Sequence, residues 1–133
     1  MSTIGHPLSD LSNLLSPHCF AEAAPNTALS HRTNPAFSPS AQTPGLPSRS
    51  QCVRWYAEVA GWDPRGEVDW GDAFAFFRNG VIMQGIAARY ALRQASSENA
   101  KEIGDLMRPY GEFTWGLIER WKERQADKMR AKL

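Results

Sequence analysis

Apolar residues recur at helical spacing in four stretches of the chain, and the first of them lies near the N-terminus. Residues 6–16 carry one stripe of leucines, at Leu8, Leu11, Leu14 and Leu15. Pro7 suits the first helical turn, where its missing N–H removes no hydrogen bond. Because a proline disfavours helical geometry in the residue before it, the pattern predicts a short helix that ends at Pro17.

A second helix is predicted from residue 48 to about residue 60. Ser48 followed three residues later by Gln51 is typical of a capping box, which marks a helix start. Gly61 is a typical stop signal, since glycine readily takes the left-handed conformation that ends many helices. The larger apolar residues of this stretch are Cys52, Val53, Trp55, Tyr56 and Val59.

A third helix is predicted from Asp69, as its N-cap, to about Arg93, with Asp72 in the first turn. One apolar face comprises Phe74, Phe77, Val81, Ala88 and Leu92, and it is widened by Phe76, Met83, Ile86 and Tyr90. A helix that is apolar on so many sides is expected to be buried in a core.

The last helix is expected to begin at Ser96 or Ser97 and to be kinked or interrupted at Pro109 and Gly111. Beyond Trp121 the sequence is charged and is expected to be solvated. Since no stretch shows the alternation of a strand, the predicted fold class is all-α.

The chain changes character near position 46, because seven of its nine prolines lie before that point. Residues 21–46 have no periodicity, and we expect an irregular loop that is disordered unless a partner holds it. The predicted organisation is therefore a helical segment at 1–20, the loop at 21–46, a helical region at 47–125 and a charged tail at 126–133.

Composition excludes several classes of function. The net charge of +1 over 133 residues gives no reason to expect a nucleic-acid partner. No apolar run approaches the roughly 20 residues that span a bilayer, so we expect no membrane partner. The two distant cysteines, Cys19 and Cys52, are expected to be reduced thiols. The three histidines lack metal-ligand spacing, so we expect no metal site.

No complete catalytic constellation is present in the sequence. Asp63 precedes a proline in a turn, and Asp69 and Asp72 are best explained as residues of a helix start. Asp10 lies in the first turn of an apolar helix, where a favourable interaction with the helix dipole is the simplest explanation.

The order of several segments resembles the aminoglycoside phosphotransferase-like kinases. STIGHPLSDLSNLLSP is similar to the segment just after the metal-binding Asp-Trp-Glu motif of that family. GLPSRSQCVRWYAEVAGWDP and WGDAFAFFRNGVIMQGIAARYALRQASSENA are similar to segments further along. The resemblance covers residues 2–20 and 44–122, and within the family it points to kinase domains related to those attached to acyl-CoA dehydrogenases.

The resemblance implies the helical C-terminal lobe of a two-lobed, protein-kinase-like fold that uses ATP and Mg²⁺ to phosphorylate a small hydroxyl-bearing acceptor. The His-Gly-Asp…Asn loop and the Asp-Trp-Glu motif that supply catalysis in the family do not occur in these 133 residues, and Met1 falls just downstream of the second. The resemblance therefore implies no catalytic, metal or cofactor residue here and an inactive fragment. It assigns Asp10 the role of anchoring the catalytic loop.

The C-terminal Ala131, Lys132 and Leu133 resemble the Ser-Lys-Leu peroxisomal address. This similarity predicts a peroxisomal protein and an import receptor as partner, with a cytoplasmic location as the alternative.

A second hypothesis is a non-catalytic helical module that binds a partner. It depends on exposed aromatic side chains, for which the candidates are Trp55, Trp62, Trp70, Trp115 and Trp121. We expect most of these tryptophans to lie in the core.

Overall fold

A computed structural model describes residues 5–41 and 43–132 of the chain. These residues contain no strand and form five α-helices, α1 (Leu8–Ala23), α2 (Arg49–Ala60), α3 (Val68–Ala91), α4 (Ala100–Asp105) and α5 (Met107–Arg130). Short 3-10 helices lie at Ser30–Arg32, Pro35–Phe37 and Pro64–Gly66. The predicted all-α class is confirmed. The backbone divides into two compact units, Met1–Asp72 and Ala73–Leu133.

Helix α1 continues past Pro17 to Ala23, so the prediction that it ends at Pro17 is wrong. A proline inside a helix leaves the carbonyl four residues earlier without its usual N–H donor. Here the Ser16 hydroxyl donates to the Asn13 carbonyl oxygen at 2.8 Å and so replaces the missing bond. Since His18, Cys19 and Ala21 are buried beyond the proline, the packing of the second half of α1 stabilises it further.

The core of the first unit lies between α1, α2 and the start of α3. Leu11 and Leu15 of α1 are buried together with Val53 of α2 and Val68 of α3. Cys52 and Tyr56 pack against this cluster from α2. The apolar stripe that the sequence shows on α1 is thus the face that makes the core.

Helix α2 begins and ends where the sequence predicts. The Ser48 hydroxyl accepts a hydrogen bond from the Gln51 N–H at 3.2 Å, and the Gln51 side chain accepts from the Ser48 N–H at 2.8 Å. Gly61 has φ +66°, the left-handed conformation that favours glycine. The capping box and the glycine stop are both confirmed.

Residues 24–41 and 43–46 are irregular apart from two 3-10 helices, and the 3-10 helix at Pro35–Phe37 packs against α1. Ala24 and Leu29 are completely buried. The Asn34 side chain accepts a hydrogen bond from the Ala36 N–H at 3.0 Å and starts the 3-10 turn that ends at Phe37. The Phe37 ring then lies edge-on to His18, with ring centroids 4.9 Å apart.

Helix α3 begins at Val68, so Asp69 lies in its first turn and is not its N-cap. The prediction that α3 is buried on most sides is also wrong. Ala73, Ala75 and Phe76 are buried, whereas the predicted apolar face at Phe74, Phe77, Val81, Ala88 and Leu92 is exposed. Helix α3 therefore buries only a narrow face, and within the described residues its broad apolar face is exposed to solvent.

The second unit is organised around Phe76. Its ring packs against Phe113 of α5 at a centroid distance of 4.7 Å and lies 6.1 Å from Tyr110. Gly104 of α4 lies so close to Ala87 that an added Cβ would approach the Ala87 Cα at 2.9 Å.

The last helix is interrupted at Leu106, so the prediction that the break lies at Pro109 and Gly111 is wrong. The helix starts with α4, whose N-cap is Asn99 rather than Ser96 or Ser97. Pro109 then lies in the first turn of α5, where its missing N–H has no helical carbonyl to bond. Helix α5 runs through Gly111 without a break.

The expectation that most tryptophans are core residues is wrong for three of them. Trp55, Trp70 and Trp115 are all substantially exposed. Trp62 and Trp121 are partly buried, and the Trp62 ring lies edge-on to His6 and Tyr56.

Candidate functional site

A partly buried ion pair joins α2 to α3 in the first unit. Arg49 is the first residue of α2, because the capping box fixes the helix start at Ser48. Its guanidinium Nη2 donates to Oδ2 of Asp72, whose residue exposure is only 4%. The same Nη2 lies 4.0 Å from Oδ1 of Asp69, one helical turn earlier.

The ion pair shows that Asp72 was misinterpreted from the sequence. A residue of a helix start would face solvent and interact with the helix dipole, but Asp72 points into the unit and has a specific cationic partner. The sequence held one signal: Asp72 is followed by the apolar run Ala73–Phe77, which is unusual for an exposed turn. Nothing local identified Arg49 as its partner, since 23 residues separate the two.

Helix α1 contributes Cys19 to this cluster. The Cys19 thiol is buried and hydrogen-bonds to the Asp72 carboxyl group. Burial raises the pKa of Cys19 well above its usual value, and the nearby negative charge of Asp72 raises it further. Because only a thiolate is a strong nucleophile, Cys19 is inert near neutral pH.

Burial also raises the pKa of Asp72, to about 6. The Arg49 charge and the hydrogen bond from Cys19 act in the opposite direction, and the Asp69 charge adds to the effect of burial. For the Asp72 carboxylate, the loss of hydration on burial outweighs the attraction of the Arg49 guanidinium. That guanidinium also lies near the Asp69 carboxylate.

Three buried polar atoms in this unit have no hydrogen-bond partner among the described residues. They are Ser12 Oγ, Arg49 Nε and Asp72 Oδ1. Ser12 faces the start of α3, where a Cβ added to Gly71 would lie 2.1 Å from its hydroxyl oxygen. The first turn of α3 therefore approaches α1 at a distance that only glycine permits.

A cleft of about 470 Å³ opens beside Arg49, between α1, the start of α2 and the irregular segment. Its titratable lining residues are His18, Glu22 and Arg49. Burial lowers the pKa of His18, the Phe37 backbone hydrogen bond opposes this, and the Arg49 charge lowers it further. His18 is therefore neutral near pH 7, and Arg49 and Glu22 are the charged groups of the cleft.

The site residues predicted from the resemblance and the C-terminal tripeptide lie apart from this cluster. Asp10 is exposed in the first turn of α1. Ala131 and Lys132 are exposed just after α5, and Leu133 lies outside the described residues. The anchoring role of Asp10 and the targeting role of the tripeptide remain predictions.

The cluster has the composition of a structural site. It holds α1, α2 and α3 through Cys19, Arg49 and Asp72, and its thiol is protonated. Within residues 5–41 and 43–132 no three His, Cys, Asp or Glu side chains are placed to hold a metal ion. In the same ranges no helix is long and apolar enough to cross a membrane.

Two curated proteins are similar to the chain over most of its length. Mouse acyl-CoA dehydrogenase family member 10 is 30% identical over 116 residues, which are 86% of this chain and 10% of that protein. Acyl-CoA dehydrogenase family member 11 of Pongo abelii is 28% identical over 122 residues, 90% of this chain and 15% of that protein. No protein-family model and no solved structure matches. The chain thus spans between a tenth and a seventh of the relatives it matches, and it is distantly similar to a segment of acyl-CoA dehydrogenase family members.

Proposed function

We propose that the chain is part of the helical C-terminal lobe of an ATP-dependent phosphotransferase that acts on a small hydroxyl-bearing acceptor. The observation that carries the proposal is the extent of the similarity, 86% and 90% of the chain, to two acyl-CoA dehydrogenase family members. The sequence resemblance pointed to kinase domains attached to proteins of that kind. The all-helical structure is what a distal part of such a lobe requires.

In this proposal the chain is scaffold and contains no catalytic group. The His-Gly-Asp…Asn and Asp-Trp-Glu motifs of the family are not among the 133 residues, so ATP and Mg²⁺ would be held by residues outside them. The buried cluster of Cys19, Arg49 and Asp72 would keep α1, α2 and α3 in a fixed arrangement. The exposed Asp10 would then accept backbone N–H bonds from the catalytic loop, since charge-assisted hydrogen bonds are strong enough to hold a loop in place.

A chimaeric protein tests this assignment. The segment of mouse acyl-CoA dehydrogenase family member 10 that matches this chain is replaced by the matching residues of the chain. The thermal unfolding of parent and chimaera is then measured with and without MgATP. We expect MgATP to raise the Tm of both proteins, because ligand binding to the folded state stabilises it. A parent without a MgATP response, or a cooperatively folded chimaera that has lost it, would contradict the proposal.

The isolated chain supplies a second test. Titration calorimetry with MgATP is expected to detect no binding, because the nucleotide-binding groups are absent from the sequence. Tight binding of MgATP by the 133 residues alone would overturn the scaffold assignment.

A second candidate function is a non-catalytic helical module that binds a protein partner. The observation in its favour is the exposed apolar surface of the second unit, which includes Phe77, Val81 and Trp115. The genomic sequence upstream of Met1 discriminates the two: in-frame His-Gly-Asp…Asn and Asp-Trp-Glu motifs favour the kinase lobe, whereas stop codons favour the module.

A peroxisomal location is a further proposal, and it depends on Ala131, Lys132 and Leu133. Residues 122–133 fused to a fluorescent protein are expected to give punctate fluorescence that overlaps a peroxisomal marker. The same fusion with Leu133→Asp is the control and should be diffuse. A diffuse signal from the unmodified fusion would favour the cytoplasmic alternative.

A further inference from the structure

One exposed stripe on α3 has the spacing of a coiled-coil seam. Its members follow one another at intervals of three, four, three, four and three residues: Phe74, Phe77, Val81, Gln84, Ala88 and Ala91. All six are exposed. This is the a and d pattern of a heptad repeat, in which such residues face a partner helix. The charged residues nearest the stripe, Arg78 and Arg89, lie outside the six positions.

Side-chain size changes along the stripe. The N-terminal half has the bulky Phe74, Phe77 and Val81, and the C-terminal half has Gln84, Ala88 and Ala91. A parallel copy would place phenylalanine against phenylalanine and alanine against alanine. An antiparallel copy places large residues against small ones, which is how packed layers fill space without voids.

We infer that the partner of this surface is a second copy of the chain, with the two α3 helices antiparallel about a two-fold axis near residues 82 and 83. In this register Phe77 packs on the partner's Ala88, Phe74 packs on the partner's Ala91, and Val81 packs on the partner's Gln84. Each contact occurs twice, as in every isologous interface. The stripe is therefore complementary to itself.

The apolar area matches what a dimer needs. Five large apolar residues of the stripe and the adjoining groove expose between 40 and 60% of their surface: Phe74, Phe77, Val81, Met107 and Trp115. With about 150–250 Å² for a whole aromatic side chain, these residues leave on the order of 500 Å² of apolar surface open. A stable homodimer buries about 800 Å² per partner, of which about 65% is apolar, or about 500 Å².

The groove beside the stripe gives the partner a place to enter. It has a volume of about 480 Å³ and is lined by Phe77, Val81 and Gln84 of α3 and by Met107, Trp115 and Ile118 of α5. Three of these residues belong to the stripe, so a helix seated on the stripe also covers the groove.

A second copy of the chain is the partner that the helical-module candidate requires, and the dimer is proposed on that candidate alone. A kinase lobe can be monomeric or dimeric. The molar mass therefore tests the dimer and the MgATP response tests the kinase assignment, and either proposal can be wrong without the other.

The test is the molar mass of the full chain, measured by sedimentation equilibrium from micromolar to submillimolar concentration. We expect a monomer–dimer equilibrium. The decisive variant is Ala88→Glu, because Ala88 is exposed in the single chain and faces the partner's Phe77 in the dimer. Burying a carboxylate against that ring is expected to raise the dimer Kd more than about tenfold. Ala126→Glu makes the same change at an exposed position of α5 and should leave the Kd unchanged.

Circular dichroism shows whether each variant is folded, and the expected helix content is equal for all three proteins. A monomeric wild-type chain throughout the concentration range would overturn the inference and leave the face to another partner. A dimer that Ala88→Glu does not weaken would overturn it as well, since the interface would then lie elsewhere.

Orientation is tested by mixing two variants, Phe77→Cys and Ala88→Cys, in a Cys52→Ser background under mild oxidising conditions. The remaining native cysteine, Cys19, is buried and protonated, so position 77 or 88 carries the one reactive thiol of each variant. The antiparallel register predicts disulfides between position 77 of one copy and position 88 of the other. Disulfides that join 77 to 77 and 88 to 88 would contradict it.

Discussion

The two units of this chain differ in how much apolar surface they expose: among the described residues, the first leaves four large apolar side chains exposed and the second leaves nine. Residues up to 72 bury leucines from α1 with Val53 and Val68, and they enclose a charged pair between helices. Residues from 73 onwards bury Phe76, Phe113 and Leu117 but leave a full seam of α3 exposed. The first unit therefore contains the interactions that stabilise it, whereas the second presents apolar surface of the kind that other molecules cover.

The strongest test of this contrast is the removal of one core side chain from the first unit. Leu15→Ala creates a cavity in the core cluster, so we expect the free energy of unfolding to fall by about 2–5 kcal/mol. Leu14→Ala is the matched control, since Leu14 is exposed on the same helix, and its effect should stay within about 0.5 kcal/mol. Urea denaturation followed by circular dichroism measures both, and equal effects would contradict the description of the core.

The charged pair of the first unit predicts an unusual dependence on pH. Because the pKa of Asp72 is raised to about 6 in the folded state, the native chain binds a proton that the unfolded chain lacks between pH 6 and about 4. The contribution of this bound proton to the free energy of unfolding is present at pH 4 and is lost as the pH rises through 6. The difference between these two limits is about 3 kcal/mol.

The measurement is the difference in free energy of unfolding between wild type and Asp72→Asn, from pH 4.5 to pH 7.5. We expect the stability of the wild type relative to Asp72→Asn to be greater at pH 4.5 than at pH 7.5. Asp63→Asn is the control, because the Arg65 hydrogen bonds lower the pKa of Asp63 to about 2 and its titration lies below this range. A difference that is constant with pH would show that Asp72 does not titrate in this range.

The close approach of α3 to α1 gives a third prediction. Gly71→Ala places a methyl group against Ser12 and Leu8, so we expect a loss of about 1–3 kcal/mol by overpacking. Gly116→Ala in α5 has open space for the same methyl group and should stabilise by up to about 1 kcal/mol. Thermal unfolding of the two variants should give Tm shifts of opposite sign, and shifts of the same sign would refute the close approach.

The smallest expected effect concerns the open face of the second unit. Val81→Thr exchanges an exposed methyl group for a hydroxyl group, and the free energy of unfolding of the single chain should change by less than about 0.5 kcal/mol. Denaturation at low protein concentration measures this effect without self-association. A loss above 1.5 kcal/mol would show that the face is part of the core of the unit after all.

Local signals in the sequence predicted local structure well. The capping box of Ser48 and Gln51 and the left-handed Gly61 each depend on a few neighbouring residues, and the structure has them as predicted. The last helix is interrupted at Leu106 and continues through Pro109 and Gly111, so its interruption was predicted at the wrong residues.

Some errors were local, such as the N-caps assigned to Asp69 and to Ser96 or Ser97, but the larger ones arose where packing between helices decides. Pro17 was expected to end α1, but a side-chain hydrogen bond and the burial of the following turns keep that helix intact. Asp72 was taken for a residue of a helix start, because its partners Arg49 and Cys19 are far away in sequence. Such pairings depend on tertiary contacts that no local pattern encodes.

The sequence by itself determined the all-α class and the start and end of α2, because these follow from neighbours within one or two turns. Only the tertiary structure decided which apolar faces are buried, which carboxylate meets a guanidinium and which thiol lies beside them. Burial and ion pairing are properties of several helices packed together, so they follow from the arrangement of those helices rather than from the order of residues along one of them.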